Sequence, residues 1–142
     1  MTIRITDAFV LGRPPEAVFA FMVDPANLAT WQTVKTFATP VTDGPPRLGY
    51  RVREGNRVGP RRWEQTVEFT EFEPGRAFAV RVVEGPPSGG RWTFAPEGAG
   101  TRVAFAAEFD APRLMAGVMR PLMRRQFRRY HRKLDRALTA AR

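Results

Sequence analysis

The chain of 142 residues predicts one domain, residues 1–142, with a hydrophobic core of its own. Hydrophobic residues make up 43% of it and no apolar run approaches the roughly 18 residues of a membrane span, which excludes a disordered chain and a transmembrane helix. Cysteine is absent and His131 is the only histidine, so we expect no disulfide, no metal site and no cofactor. The formal net charge is +9. The N-terminus lacks the features of a signal peptide, which predicts a cytoplasmic protein.

A strand and two short helices are predicted for the first 31 residues. Apolar residues alternate imperfectly with polar ones over residues 3–11, as in a strand with one buried face. Pro15 then opens a helix, because a proline costs no hydrogen bond in the first turn. The pair Asp24-Pro25 ends this helix, since the residue before a proline is pushed out of helical geometry, and Pro25 begins a second helix that closes at Trp31.

Six more strands are predicted in the middle of the chain. They cover residues 34–41, 48–53, 62–72, 76–84, 91–95 and 101–109. The segments between them, among them the loop 55–60 and the hairpin turn at Gly89-Gly90, are short and rich in Gly and Pro, so neighbouring strands run antiparallel. Alternation places Trp63 and Gln65 on the dry face of this sheet and Glu64 and Glu68 on the wet one.

The segment 112–141 predicts a long amphipathic helix that covers the dry face of the sheet, with a kink or restart at Pro121. Its apolar stripe contains Met115, Met119, Leu122, Met123, Phe127, Tyr130, Leu134, Ala137 and Leu138. Ten Arg or Lys residues between Arg113 and Arg142 face a single acid, Asp135. We interpret this charge as solvated surface, expect no specific nucleic-acid partner and keep weak contact with an anionic membrane as the alternative.

The motifs resemble those of the START-like superfamily (SRPBCC), which holds Bet v 1 proteins and polyketide cyclase/dehydrase-like proteins. The resemblance rests on the helix start at 15–19, the Asp24-Pro25 break, Trp31, the turn at 71–76 and the segment 100–103. It implies an α+β helix-grip fold, in which a curved seven-stranded antiparallel sheet wraps around a long C-terminal helix and two short helices follow the first strand. It also implies a cavity between sheet and helix for a hydrophobic or amphipathic molecule such as a lipid, polyketide, quinone or aromatic metabolite.

Twelve side chains on inward faces are candidate ligand contacts, although a place in the packed core is the simpler interpretation of each one taken singly. They are Trp31, Tyr50, Trp63, Gln65, Phe69, Phe78, Trp92, Phe105, Met119, Met123, Gln126 and Tyr130. Gln65 and Gln126 are the most informative, because a buried amide without a partner costs about 1–3 kcal/mol. Each therefore requires a neighbouring side chain, a water molecule or a ligand.

No set of residues for covalent catalysis can be assembled. We expect His131 to lie at the surface and to pair with Asp135 four residues later. The sequence thus predicts a protein that binds a hydrophobic small molecule for transport or sensing. The alternative is a non-metal cyclase or dehydratase acting on an aromatic or polyketide substrate, with Gln65, Gln126 and Tyr130 as its polar groups.

Overall fold

The computed structural model describes residues 2–110 and 112–140. Seven strands form one curved sheet: β1 (Thr2–Leu11), β2 (Lys35–Pro40), β3 (Arg51–Val58), β4 (Arg61–Glu73), β5 (Ala77–Glu84), β6 (Ser88–Glu97) and β7 (Gly100–Asp110). Their spatial order is β1-β7-β6-β5-β4-β3-β2, and every neighbouring pair is antiparallel. The predicted helix-grip fold is confirmed.

The two short helices begin at the predicted prolines. Helix α1 spans Pro15–Val23 and α2 spans Pro25–Trp31. Between them, the Asp24 carboxylate accepts a hydrogen bond from the backbone N–H of Ala26 at 3.0 Å, which caps the start of α2. The Asp24-Pro25 pair therefore ends one helix and stabilises the next.

The long helix α3 spans Ala116–Ala140 after a short 3₁₀ turn at Arg113–Met115. Pro121 lies inside α3 without dividing it, so the predicted restart does not occur. Ala141, the last residue of the predicted helix, and Arg142 lie outside the described residues. None of the helices among the described residues has an apolar stretch long enough to cross a bilayer.

The apolar stripe of α3 is buried only in its C-terminal half. Buried positions there are Phe127, Tyr130, Leu134 and Leu138, which join the core formed by α1, α2 and the inner face of the sheet. In the N-terminal half Met119 and Met123 are partly buried, whereas Met115 and Leu122 are about half exposed, at 50% and 57%. Their predicted place in the buried stripe is wrong: the apolar period continues through these positions, but the side chains meet solvent there.

Two predicted turns are parts of strands. Residues 55–58 continue β3, and Gly89 and Gly90 lie in β6, paired with Arg81 and Val80 of β5. Glycine occurs at Gly55 and Gly90 because an aromatic ring occupies the side-chain position: a Cβ on Gly55 would meet the Phe37 ring, and one on Gly90 would lie 2.7 Å from the Trp92 ring. These two glycines allow an aromatic ring to pack closely on the backbone of a strand. Composition alone does not distinguish such a glycine from one in a turn.

The outer face of the sheet is charged, as predicted. Glu64 and Glu68 on β4 pair with arginines of β3, Arg53 at 3.3 Å and Arg51 at 3.2 Å. These pairs are substantially exposed to solvent, where such interactions contribute at most about 1 kcal/mol each. They keep this face wet and leave the inner face as the large apolar surface of the sheet.

Trp31 closes α2 against the core. It is 2% exposed, and its ring meets that of Tyr130 on α3 edge-on, with 6.1 Å between centroids. The side chain thus connects the short helices to the long one.

We expect Trp31→Ala to lower the free energy of unfolding by about 3–5 kcal/mol, because it leaves a cavity between α2 and α3. Urea denaturation of purified protein measures the change. Leu114→Ala is the control, since Leu114 is 97% exposed and surface truncations stay within about 0.5 kcal/mol. A Trp31→Ala protein as stable as the control variant would contradict the anchoring role.

Candidate functional site

A cavity of about 190 Å³ lies between the inner face of the sheet, the end of α1, helix α2 and the C-terminal half of α3. Most of its wall is apolar: Met22, Val23, Pro25, Leu28, Trp31, Val34, Val52, Val67, Phe69, Phe78, Val80, Val82, Trp92, Ala107, Phe109 and Phe127. The exposed Glu108 and the partly exposed Ser88 and Gly89 also line it, which indicates where the cavity opens. The helix-grip fold therefore leaves space inside the molecule.

A cluster of polar side chains interrupts this apolar wall on β2, β3 and β4. The Lys35 ammonium lies 3.3 Å from Glu54 Oε1 and donates a hydrogen bond to Asn56 Oδ1 at 2.7 Å. Gln65 Nε2 donates to the same Glu54 oxygen at 3.2 Å. Lys35, Glu54 and Gln65 line the cavity, whereas Asn56 lies outside its wall and holds the lysine through this hydrogen bond.

The cluster is buried, which makes its pairing energetically important. The side chains of Lys35 and Glu54 are only 10% and 5% exposed. Removing a charge of this kind from water costs several kcal/mol unless a partner and hydrogen bonds compensate it. Each charge here depends on the other, and together they form an ion pair with no net charge.

Some hydrogen-bonding capacity of the site is unused. Within residues 2–110 and 112–140, Glu54 Oε2 accepts no hydrogen bond, and the buried Asn56 Nδ2 and Trp31 Nε1 have no acceptor. Buried polar atoms are almost always paired in folded proteins. Glu54 and Trp31 line the cavity, so polar groups of a ligand or water there would be partners for their free atoms, whereas Asn56 lies outside the cavity wall.

Tyr130 closes the cavity from the side of α3. Burial raises the pKa of its phenol to about 12, and this effect outweighs hydrogen bonding with Gln126, the Val34 backbone and Thr33, which lowers it. Gln126 Nε2 donates a hydrogen bond to the Thr33 hydroxyl. Gln126 is therefore a partner of the α2–β2 connection, and Tyr130 presents a neutral phenol at neutral pH.

His131 occupies an unexpected position. Its ring is half-buried against Phe9, with centroids 3.5 Å apart, and edge-on to Phe105, at 5.9 Å. Burial lowers the pKa of His131, and the nearby Asp7 carboxylate opposes this effect. The predicted surface pair with Asp135 is wrong: no such ion pair exists among the described residues, and the ring packs instead on Phe9 of β1 and Phe105 of β7.

The structure brings together half of the twelve candidate residues. Those lining the cavity are Trp31, Gln65, Phe69, Phe78, Trp92 and Tyr130. Those outside its wall are Tyr50, Trp63, Phe105, Met119, Met123 and Gln126. Trp63 contacts a cavity residue instead, since its indole N–H donates a hydrogen bond to Gln65 Oε1 at 3.2 Å. Phe105 lines a separate void of about 10 Å³ beside His131.

Sequence reasoning missed Lys35, Glu54 and Asn56. The sequence predicts a loop over residues 55–60 and gives Lys35, in the predicted strand 34–41, no role in the site. A signal was present: Val52, Glu54 and Asn56 share one parity of β3, and Val52 belongs to the core. Extending the strand through Gly55 would have placed the carboxylate and the amide on its inner face.

Comparison with known proteins agrees with this architecture. Residues 2–140 match the protein family described as "Polyketide cyclase / dehydrase and lipid transport". The chain belongs to this family. The superfamily resemblance of the sequence is thereby confirmed, and a comparison with curated proteins found no match.

Solved structures share the fold at low sequence identity. TTHA0849 from Thermus thermophilus is 20% identical, with a TM-score of 0.78 over 98% of this chain and 99% of that one. Ara h 8.0201 is 10% identical, with a TM-score of 0.73 over 99% of both chains. The Zhui aromatase/cyclase from Streptomyces sp. R1128 is 16% identical, with a TM-score of 0.72 over 99% of this chain and 93% of that one.

The buried phenol of Tyr130 predicts a loss of stability at alkaline pH. Its folded pKa is raised from 10.0 to about 12, so its contribution is complete below pH 10 and is lost as the pH rises toward 12. In that window the unfolded chain releases the proton and the folded one keeps it, which costs up to about 1.4 kcal/mol per pH unit. Urea unfolding of the wild type and of Tyr130→Phe across this window measures the effect. The wild type should lose stability more steeply, and equal slopes would contradict the burial of an undissociated phenol.

Proposed function

We propose that the chain acts as one domain that binds a hydrophobic or amphipathic small molecule in the cavity, for transport or sensing and without covalent catalysis. This proposal rests on the cavity of about 190 Å³, which opens to solvent and combines apolar walls with one polar cluster. Ligand sites in proteins typically have this composition, because apolar walls supply affinity and a few polar groups fix orientation.

The size of the cavity limits the ligand. An engineered apolar cavity of about 150 Å³ binds benzene. A space slightly larger than that suits one or two rings, or an alkyl segment of similar volume. A longer molecule would extend through the opening beside Glu108 and Ser88.

The family description supports this proposal, since it includes lipid transport. It equally includes polyketide cyclases and dehydrases, so it does not separate a carrier from an enzyme. The cytoplasmic location inferred from the sequence also stays a prediction.

Filling the cavity should abolish ligand binding. Ala107 lines the cavity on β7, and its neighbour Ala106 lies on the opposite face of the same strand. We expect Ala107→Phe to weaken binding at least about tenfold, because the new ring occupies space that the ligand needs. Ala106→Phe is the matched control and should bind as the wild type does.

Native mass spectrometry and displacement of the neutral dye prodan by fatty acids, quinones and flavonoids provide the measurement. The Tm of each variant shows that it is folded. Equal affinity of the Ala107→Phe and Ala106→Phe variants would move the binding site elsewhere. A wild-type protein that binds no apolar compound would overturn the proposed function.

An enzymatic role is the second candidate. The observation favouring it is that the buried Glu54 carboxylate and Gln65 amide line the cavity, where they are able to orient a polyketide-like substrate for cyclisation or dehydration. Of the other polar groups considered, Tyr130 lines the cavity and Gln126 does not. Incubation with a short poly-β-ketone, followed by mass spectrometry for the dehydrated product, decides between catalysis and simple binding.

We also propose that the start of α3 contacts anionic membranes. An apolar ridge is formed by Leu114 and Met115 of the 3₁₀ turn and by Val118 and Leu122 of α3, and these side chains are 50–97% exposed. Arg113, Arg120, Arg124 and Arg125 lie in the same stretch, and none forms an ion pair among the described residues. Apolar side chains flanked by arginines are typical of helices that lie in the interface of an acidic bilayer.

Removing the ridge should weaken membrane binding while leaving the fold intact. The triple variant Leu114→Gln/Val118→Gln/Leu122→Gln loses three apolar contacts, and we expect about tenfold weaker binding to phosphatidylglycerol-containing vesicles. Val41→Gln/Val58→Gln is the control, because these valines are exposed away from α3, at 59% and 54%. Co-sedimentation over a salt series measures binding. Equal loss in both variants, or tight binding to duplex DNA at physiological salt, would contradict the proposal.

A further inference from the structure

We propose that the Lys35–Glu54 pair is a polar subsite for an uncharged ligand head group that both donates and accepts a hydrogen bond, such as a hydroxyl, phenol or primary carboxamide. This inference rests on the proposed function of the cavity and specifies the chemical class of its ligand. It depends on the unused hydrogen-bonding capacity and on the charge balance of the pair.

The pair offers one donor and one acceptor side by side at the cavity wall. The Lys35 ammonium has three N–H donors, of which one goes to Asn56 Oδ1 at 2.7 Å and one is directed at Glu54 Oε1 at 3.3 Å. Glu54 Oε1 also receives the Gln65 amide, whereas Oε2 accepts nothing from the described residues. A third ammonium hydrogen and a carboxylate oxygen are thus open to a ligand.

A hydroxyl or a carboxamide matches both groups at once. Its oxygen accepts from the Lys35 ammonium and its O–H or N–H donates to Glu54 Oε2. Hydrogen bonds to charged groups are roughly twice as strong as those between neutral groups. An ether or an ester would satisfy only the lysine, and a hydrocarbon would satisfy neither.

The charge balance of the site disfavours an ionised ligand. Lys35 and Glu54 compensate each other and are about 90% or more buried. A carboxylate placed beside them would leave one negative charge unpaired in a medium of low polarity, and an ammonium group would leave one positive charge unpaired. Among the described residues, the one further charged side chain lining the cavity is Glu108, which is exposed and screened by water. Fatty acids and amines should therefore bind less well than neutral alcohols, phenols or amides of equal size.

Four naphthalene probes separate these ligand classes at nearly constant shape. Naphthalene, 2-naphthol, 2-naphthoate and 2-naphthylmethylammonium are titrated at neutral pH into ¹⁵N-labelled protein, and dissociation constants are obtained from amide chemical-shift changes. We expect 2-naphthol to bind about tenfold more tightly than naphthalene and than either charged probe.

A double variant tests the residues. Lys35→Met/Glu54→Leu replaces the pair with apolar side chains of similar size, which proteins usually tolerate far better than loss of one charge. In this variant the advantage of 2-naphthol over naphthalene should disappear while naphthalene still binds. The matched control is Arg51→Met/Glu68→Leu, which removes an ion pair of 3.2 Å from the outer face of β3 and β4. It should keep the advantage.

The outcomes distinguish this inference from the proposed function. If naphthalene and 2-naphthol bind the wild type equally, or if the advantage survives in the Lys35/Glu54 variant, the subsite is refuted and the cavity remains a ligand site. Tightest binding of 2-naphthoate would also refute it, since Lys35 would then act as an anion site. Binding of none of the four probes would overturn both proposals for ligands of this size.

Discussion

The structure depends on how much of the dry sheet face α3 is able to cover. A sheet with one apolar face requires a partner, and here the C-terminal half of α3 supplies the buried side chains, Phe127, Tyr130, Leu134 and Leu138. This half packs beside β1 and α2. Residues on the inner faces of β4, β5 and β6 line the cavity, which is the part of the dry face that α3 leaves uncovered. Burial of each large side chain contributes about 1.5–3 kcal/mol, so a well-packed end of the core stabilises an end that is left open.

The buried Lys35–Glu54 pair is difficult to explain by stability alone. Replacement of such a pair by well-packed apolar residues is often neutral or stabilising, because the attraction between the charges hardly exceeds the cost of removing them from water. A pair held by Asn56 and Gln65 at the wall of an otherwise apolar cavity therefore requires another reason. Recognition of a polar ligand group supplies one.

Sequence patterns predicted the elements of the fold better than the contacts between them. Alternation and proline placement predicted seven strands and the helix starts at Pro15 and Pro25, because these signals are local. The strand positions of Gly55 and Gly90 depend on rings from Phe37 and Trp92, and no local pattern reports where a ring will lie. For the same reason, six of the twelve candidate residues line the cavity and six do not: all were predicted to face inward, but only packing decides which of them border empty space.

The two halves of α3 also show that a sequence pattern does not identify the contacts of a face. Met115 and Leu122 continue the apolar period that buries Leu134 and Leu138, yet they are exposed. A helical period reports an apolar face and does not identify what that face meets. In the C-terminal half the sheet and α2 supply the partner; in the N-terminal half the described residues supply none for Leu114, Val118 and Leu122. Large exposed apolar patches in proteins commonly mark interaction sites, and this exposed ridge, beside arginines without ion pairs among the described residues, is the basis of the proposed membrane contact.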